Sequence, residues 1–370
     1  MKRIIVSVTN DLAADNRVFR MCATLDEMGV EVKLIGRRLP ASRPLAPRPY
    51  VTRRMRLLFT KGPLFYAEFN LRLFFYLLFS RFDLLLANDL DTLPANFLVA
   101  RLRRKELVYD SHEYFTQVPE LIGRPNVQAI WEWLEKQMVP HLKHAVTVCE
   151  SIAAIYRQQY QVPFRVVRNL PVKAEWEAIP AEKRVNESRP IILYQGALNV
   201  GRGLEQAIRA MELLDGALLV LAGSGDIEKE LYHLVTALQL EERVKFVGRL
   251  PVEELGWLTR QARLGISIEQ DLGLNYRYAL PNKLFDYIQA RVPVVVSNLP
   301  EMKRVVEHYQ VGLVSGSHEP AQLAGTFREA LFNESRRIEW QQNLEIAAAE
   351  LTWEKEKEIV RELFGPLLEK

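Results

Sequence analysis

Short apolar runs with helical patterns between them recur along this chain of 370 residues, and that alternation limits the fold more than any other feature. In the first half the runs fall at 4–8, 31–35, 84–87, 107–110, 146–149 and 165–167, with helical periodicity over 18–28, 93–103 and 127–139. Repeated strand–helix units imply a parallel, doubly wound sheet. The pattern restarts at 191–195 and continues through 217–226, 244–255, 264–268 and 292–297, then 312–315 and helices near 319–332 and 335–350. Between the two series, residues 171–189 are polar, lack clear periodicity and include Pro171 and Pro180, as a linker does. The expected organisation is therefore α/β: one domain over 1–170, a hinge at 171–189, a second domain over 190–351 and a final helix over 352–370.

Composition narrows the class. With 48% hydrophobic and 26% charged residues the chain is ordinary globular protein. Its 2 cysteines, Cys22 and Cys149, form neither a disulfide framework nor a metal cluster, which fits a cytoplasmic setting. The opening MKRIIVSVTND has too short an apolar run for a signal peptide and reads as a first strand. The most lipid-like stretch, 71–87, is interrupted by Arg72, Arg81 and Asp83, so no transmembrane helix is expected. No G-x-G-x-x-G follows the first strand, which argues against a dinucleotide-dependent dehydrogenase. In that place stands TNDLAADNRV, whose Asn10, Asp15 and Arg17 either cap the next helix or line an acceptor site.

The net charge of +3 is unevenly spread, basic in the first half and acidic in the second. From 33 to 61 there are nine basic residues (Lys33, Arg37, Arg38, Arg43, Arg48, Arg53, Arg54, Arg56 and Lys61) and no acidic one. Four prolines make the run read as a loop, and it leads into the aromatic segment 64–79. A cationic loop beside apolar surface is expected of a protein working at an anionic membrane surface without spanning it; the other reading is a solvated loop and a buried helix. Nucleic acid is not expected as a partner, because no recognition motif accompanies the charge.

The densest chemistry lies between 264 and 301. An apolar strand is followed by a polar loop, then by a helix expected from Pro281 to Ala290 and a β-branched strand at 292–297. Asn282 and Lys283 fall in the first helical turn, where free N–H groups and the helix dipole attract an anion, or else the stretch is a capped surface helix with a solvated lysine. Asp286 lies on the same face as Asn282. The end of a buried strand is where open α/β sheets bind ligands.

LPNKLFDY at 280–287, followed by VPVVVS at 292–297, resembles the donor-binding signature of retaining glycosyltransferases of family 4, in the branch that carries LPNK. Register on VPVVVS puts Asp286 at the second of the two glutamates of that signature and Tyr278 at the first. The resemblance extends to GALNVGRGLEQ, where Arg202 and Gly203 stand for a Lys-Gly pair after Gly196, and where Ala197 replaces an arginine. It extends also to Gly223 and Gly225 in AGSGD, to Arg249 after Gly248, and to YDSHEYF, whose His112 corresponds to a cleft histidine beside Glu113. Asn88-Asp89-Leu90-Asp91 ends another strand. Trp353 opens the last helix as in relatives whose tail packs back on the first domain.

The resemblance implies the GT-B fold, two Rossmann-like domains facing a central cleft. It implies transfer, with retention, from a nucleotide-diphosphate sugar (UDP- or GDP-linked) to a saccharide or lipid-linked acceptor in cell-surface glycan synthesis. Arg202, Lys283 and the helix start would hold the diphosphate, Asp286 the ribose, Arg249 the base and His112 the sugar; Asp89 and Glu113 belong to the acceptor side. No metal or other cofactor is expected. A nucleotide-sugar epimerase of the same fold, or a binding module without catalysis, is the alternative that Tyr278 and Ala197 motivate.

Overall fold

Arg3–Asp11 is the first strand, β1, and its apolar core from Ile4 to Val6 is buried between helices on both faces. The computed structural model describes residues 1–369 except 14, 41, 43, 122, 174 and 176, so Arg43 of the basic run lies outside it. Six strands follow in the first unit: β2 (Glu31–Arg38), β3 (Val51–Arg56), β4 (Leu84–Asn88), β5 (Glu106–Ser111), β6 (His144–Thr147) and β7 (Phe164–Val166). Helices α1 (Asn16–Glu27), α2 (Pro63–Phe79), α3 (Leu93–Arg103), α4 (Pro125–Met138) and α5 (Glu150–Tyr160) connect them. The strands pair in parallel in the order β3-β2-β1-β4-β5-β6-β7. Because β1 sits beside β4, the strand order reverses there and a crevice opens at their carboxyl ends.

The second unit repeats the plan with β8 (Ile191–Gln195), β9 (Leu218–Ala222), β10 (Val244–Gly248), β11 (Leu264–Ser267), β12 (Val294–Ser297) and β13 (Gly312–Ser315). Its helices are α6 (Leu204–Ala210), α7 (Glu228–Ala237), α8 (Val252–Gln261), α9 (Leu274–Arg277), α10 (Asn282–Gln289), α11 (Pro300–Tyr309), α12 (Pro320–Phe332) and α13 (Glu334–Glu350). The order is β10-β9-β8-β11-β12-β13, all parallel, so the reversal lies between β8 and β11. Alternation along β8 divides the core into two layers: Ile192 and Tyr194 pack with Leu204, Ile208 and Phe327, whereas Ile191 and Leu193 pack with Tyr287, Met302 and Leu344. Residues 170–189 join this unit, where Lys183 pairs with Glu254 at 2.9 Å and Gln261 Oε1 accepts from the Val185 N–H.

The last helix, α14 (Trp353–Glu369), starts in the second unit, with the Trp353 N–H donating to the Pro171 carbonyl at 2.7 Å. From Glu356 onward it belongs to the first unit. There the buried Glu356 carboxylate accepts from the Arg168 backbone and guanidinium, and Lys357 reaches Glu27.

Three local expectations change. The basic run is not all loop: β2 extends to Arg38 and β3 takes Arg53, Arg54 and Arg56, so six of its nine basic residues lie on strands. Prolines at 40, 44, 47 and 49 confine the loop to the middle of the run, and the strand after them was masked by its basic residues. Much of that charge also turns inward. Arg54 pairs with Asp11 at 3.1 Å, Arg48 donates to the Leu12 carbonyl and Tyr50, and Arg37 and Arg53 lie over the rings of Phe65 and Tyr76. Pro281 is the N-cap of α10 rather than its first residue, with ψ at 138°. The loop before it includes the short helix α9.

Candidate active site

Lys283 is the second residue of α10, and burial of Leu284, Phe285, Tyr287 and Ile288 turns that helix so that the lysine points along the ends of β8 and β11. Its ammonium lies over the Tyr194 ring at 4.1 Å and donates to Glu269 Oε1 at 2.7 Å. Arg202, in the loop after β8, approaches the same oxygen at 3.4 Å, and its guanidinium lies over the Tyr276 ring. Glu269 follows β11, is fully buried, and its other oxygen accepts from Ser267 Oγ at 2.8 Å. Burial disfavours its charge, but Lys283, Arg202 and Ser267 outweigh that and hold its pKa below the usual value. Arg202 Nε is buried without a hydrogen-bond partner among the described residues. An orphan donor of this kind costs about 1–3 kcal/mol unless a ligand satisfies it.

Gly196 belongs to this cluster, since a Cβ there would stand 3.7 Å from Lys283 Cε. Gly203 has φ +71°, and a Cβ would meet the Ile268 carbonyl at 2.2 Å; glycine lets the Arg202 loop close onto the end of β11. Gly223 and Gly225 serve packing between loops, because a Cβ on either would overlap the Gly196 or Leu198 carbonyl at 1.8 or 2.3 Å. Asp286 sits one turn further along α10 and accepts from Gln195 Nε2 at 3.0 Å, while Gln195 Oε1 accepts from Thr259. Asn282 is exposed at the helix start. Arg249 is exposed after the edge strand β10, two strands from β8, and is not drawn into the cation cluster by any described contact.

The first unit gathers a different set at its own reversal point. Asp89, held at φ +57°, accepts from the His112 N–H at 2.8 Å and faces its ring at 3.3 Å. The other ring nitrogen lies 3.1 Å from Asn88 Oδ1 and 3.4 Å from Asp110. Burial alone would depress the His112 pKa, but Asp89 and Asp110 raise it to about 9. It is thus an imidazolium with both nitrogens engaged, suited to electrostatic work rather than to removing a proton. Arg17 and Asp110 are both buried and form a bidentate pair at 2.7 and 3.1 Å, which overcomes burial and holds Asp110 at about 2. The remaining Arg17 nitrogen donates to the Val167 carbonyl, so this residue braces Asp110 and does not line a pocket. Asp15 caps α1 through the Val18 N–H and accepts from Asn10, so of the two readings of that loop capping is realised for Asp15. Glu113 is exposed beside His112, its carbonyl accepting from Ser111. Asp91 accepts from Thr9 at 2.6 Å; burial and the neighbouring Asp89 push it up to about 8.

Two family models match this chain, Glycosyltransferase Family 4 over residues 14–170 and Glycosyl transferases group 1 over residues 176–346. The chain belongs to the group 1, family 4 glycosyltransferases. Alpha-D-kanosaminyltransferase of Streptomyces kanamyceticus is 24% identical over 252 residues, a match that spans 64% of this chain and 64% of that enzyme. Sucrose-phosphate synthase of Thermosynechococcus elongatus superposes with a TM-score of 0.80 at 18% identity, covering 100% of both chains. HepE of Anabaena, solved with UDP-glucose, gives 0.74 at 15% identity over 99% of this chain and 100% of its own. The fold is GT-B.

Glu269 and Gln195 are the residues of this cluster that the sequence does not reveal. Both sit at strand ends inside apolar runs, where a polar residue reads as the start of a loop. The signal for Glu269 is SIEQD itself, a carboxylate two residues beyond β11 on the same sheet edge as the glycine loop. Among the described residues no group of three or more His, Cys, Asp or Glu is placed to hold a metal ion.

Proposed function

We propose that the chain transfers a glycosyl group from a nucleotide-diphosphate sugar to a hydroxyl of a saccharide or lipid-linked acceptor, with retention and without a metal. The observation that carries this is the convergence of Arg202 and Lys283 at the reversal point of the second sheet, with an orphan N–H on the arginine. Charge builds on the diphosphate as the bond from anomeric carbon to phosphate oxygen breaks, and preset cations stabilise it at no cost of reorganisation. The acceptor oxygen bonds to the anomeric carbon, and its proton passes to the leaving diphosphate. The neutral-to-acidic cluster of the first unit suits sugar hydroxyls. A uridine nucleotide is the first donor to try, since HepE was solved with UDP-glucose.

Purified protein is incubated with UDP- and GDP-sugars and candidate acceptors, with and without excess EDTA, and the products are separated. A glycoside of retained anomeric configuration, formed equally in EDTA, supports the proposal. A free epimer would make the chain an epimerase, and no product with any sugar nucleotide would leave a binding module. Loss in EDTA restored by manganese would overturn the metal-free reading.

The setting we propose is the face of an anionic membrane, in cell-surface glycan synthesis. No helix of the described residues is long and apolar enough to cross a membrane. Yet α2 is apolar on two sides: Phe65, Phe69, Leu73 and Leu77 are buried, whereas Leu64, Leu71, Phe75 and Phe79 are exposed. The α3 residues Leu98 and Leu102 are exposed too, and Lys61, Arg72, Arg81 and Arg101 are exposed nearby in sequence. Such a face lies on lipid with its cations at the headgroups. Protein should sediment with anionic liposomes at low salt and come off at high salt, and Phe75→Glu with Phe79→Glu should abolish this while UDP still binds. Wild-type protein that ignores anionic liposomes would point to a soluble acceptor.

A further inference from the structure

A buried carboxylate that takes both cations of an anion site needs a reason. Glu269 has 0% side-chain exposure, against 9% for Lys283 and 29% for Arg202, so the carboxylate lies behind the cations and a ligand reaches them from their outer side. One Glu269 oxygen serves both, at 2.7 Å and 3.4 Å, and Ser267 Oγ fixes the other at 2.8 Å. Among the described contacts, Lys283 spends one N–H on this oxygen and a face on Tyr194, which leaves ammonium N–H for a ligand.

We propose that Glu269 is a positioning residue and charge counterweight: it sets Lys283 and Arg202 on one point and lowers the site's affinity for the nucleoside diphosphate left after transfer. The inference rests on the reading that these cations hold a diphosphate. Two cations alone would present a charge of +2; the shared carboxylate leaves +1 and repels a polyanion at short range. A site that binds its leaving group as tightly as it binds the transition state gains nothing in turnover and is slowed by release. Glu269 opposes that trap without giving up the fixed cations.

The test is Glu269→Gln, which keeps shape and a hydrogen-bond acceptor but removes the charge, compared with wild type by calorimetric binding of UDP and of inorganic pyrophosphate and by steady-state turnover. Tighter binding of both probes, by about fivefold or more, with kcat lowered and KM lowered too, is expected. A merely structural role moves affinity and kcat down together, and that outcome, or unchanged binding, overturns the proposal. Should the variant not fold, Glu269→Ala decides, since it also removes the charge; equal or weaker binding of both probes there overturns the proposal as well. Lys283→Ala separates the two levels. If it binds pyrophosphate like wild type, the diphosphate reading itself fails; if it loses binding while Glu269→Gln does not tighten, only the role of Glu269 fails.

Discussion

At the strand ends of the first sheet three aspartates gather around one histidine and one arginine; at those of the second, one glutamate is shared by a lysine and an arginine. Both clusters occupy the place where strand order reverses, β1 beside β4 and β8 beside β11. The first sets His112 and Arg17 against Asp110, Asp89 and Asp91, and burial raises Asp89 and pushes Asp91 up to about 8, so its charges are closely matched. The second keeps one positive charge in excess. The same architecture therefore carries a charge-matched, hydrogen-bonded cluster in one unit and a cluster with one cation in excess in the other. The difference is made by a few side chains and not by topology.

The largest effect expected breaks the first cluster. Arg17→Leu leaves Asp110 charged and buried without its partner, which costs roughly 3–5 kcal/mol. In a unit of this size that lowers the melting temperature by on the order of 10 °C. If the two clusters are independent, UDP affinity measured well below the melting point stays at the wild-type value. A variant that melts like wild type would show that the buried pair is not holding the first unit.

Next in size is Lys283→Ala, which removes a charge-assisted contact of about 1.5–3 kcal/mol, so that turnover falls roughly tenfold to a hundredfold. Arg202→Ala should act in the same direction and less, since its contact is longer and its side chain more exposed. Stability in the absence of ligand should fall as well, because Lys283→Ala leaves Glu269 buried with only the longer contact to Arg202, so turnover is compared well below each melting temperature. Wild-type turnover in both variants would remove the second cluster from catalysis.

The last effect is on pH dependence, and it separates the units by sign. His112 is raised from 6.5 to about 9 and Asp91 from 3.8 to about 8, so between 6.5 and 8 the folded first unit holds more protons than the unfolded chain. Its stability therefore falls as pH rises, the His112 contribution being lost through about 9. Glu269 is lowered from 4.5, so its contribution to the second unit is present above that value and lost as pH falls below it. Amide exchange resolved by unit should show the first loosening toward pH 9 and the second toward acid. Asp91→Asn should flatten the alkaline slope; an unchanged slope would reassign that proton.

Much of this is legible in the sequence. Burial on both sheet faces demands apolar runs at β1, β4, β8, β9, β11 and β12, and turns between them demand polar and glycine residues, so strand positions and the parallel arrangement can be read directly. Lys283 and Arg202 were visible because helix starts and glycine-bearing loops have local signatures. The strand β3 was hidden, since an edge strand carrying Arg53, Arg54 and Arg56 has neither apolar run nor clean alternation. Partnership was hidden as well. Glu269 meets Arg202 across 67 residues, and Arg17 meets Asp110 across 93. Local sequence sets which groups are charged and which backbone they sit on. Which charges neutralise one another depends on where parallel strands bring distant loops together, and only the tertiary structure decided that.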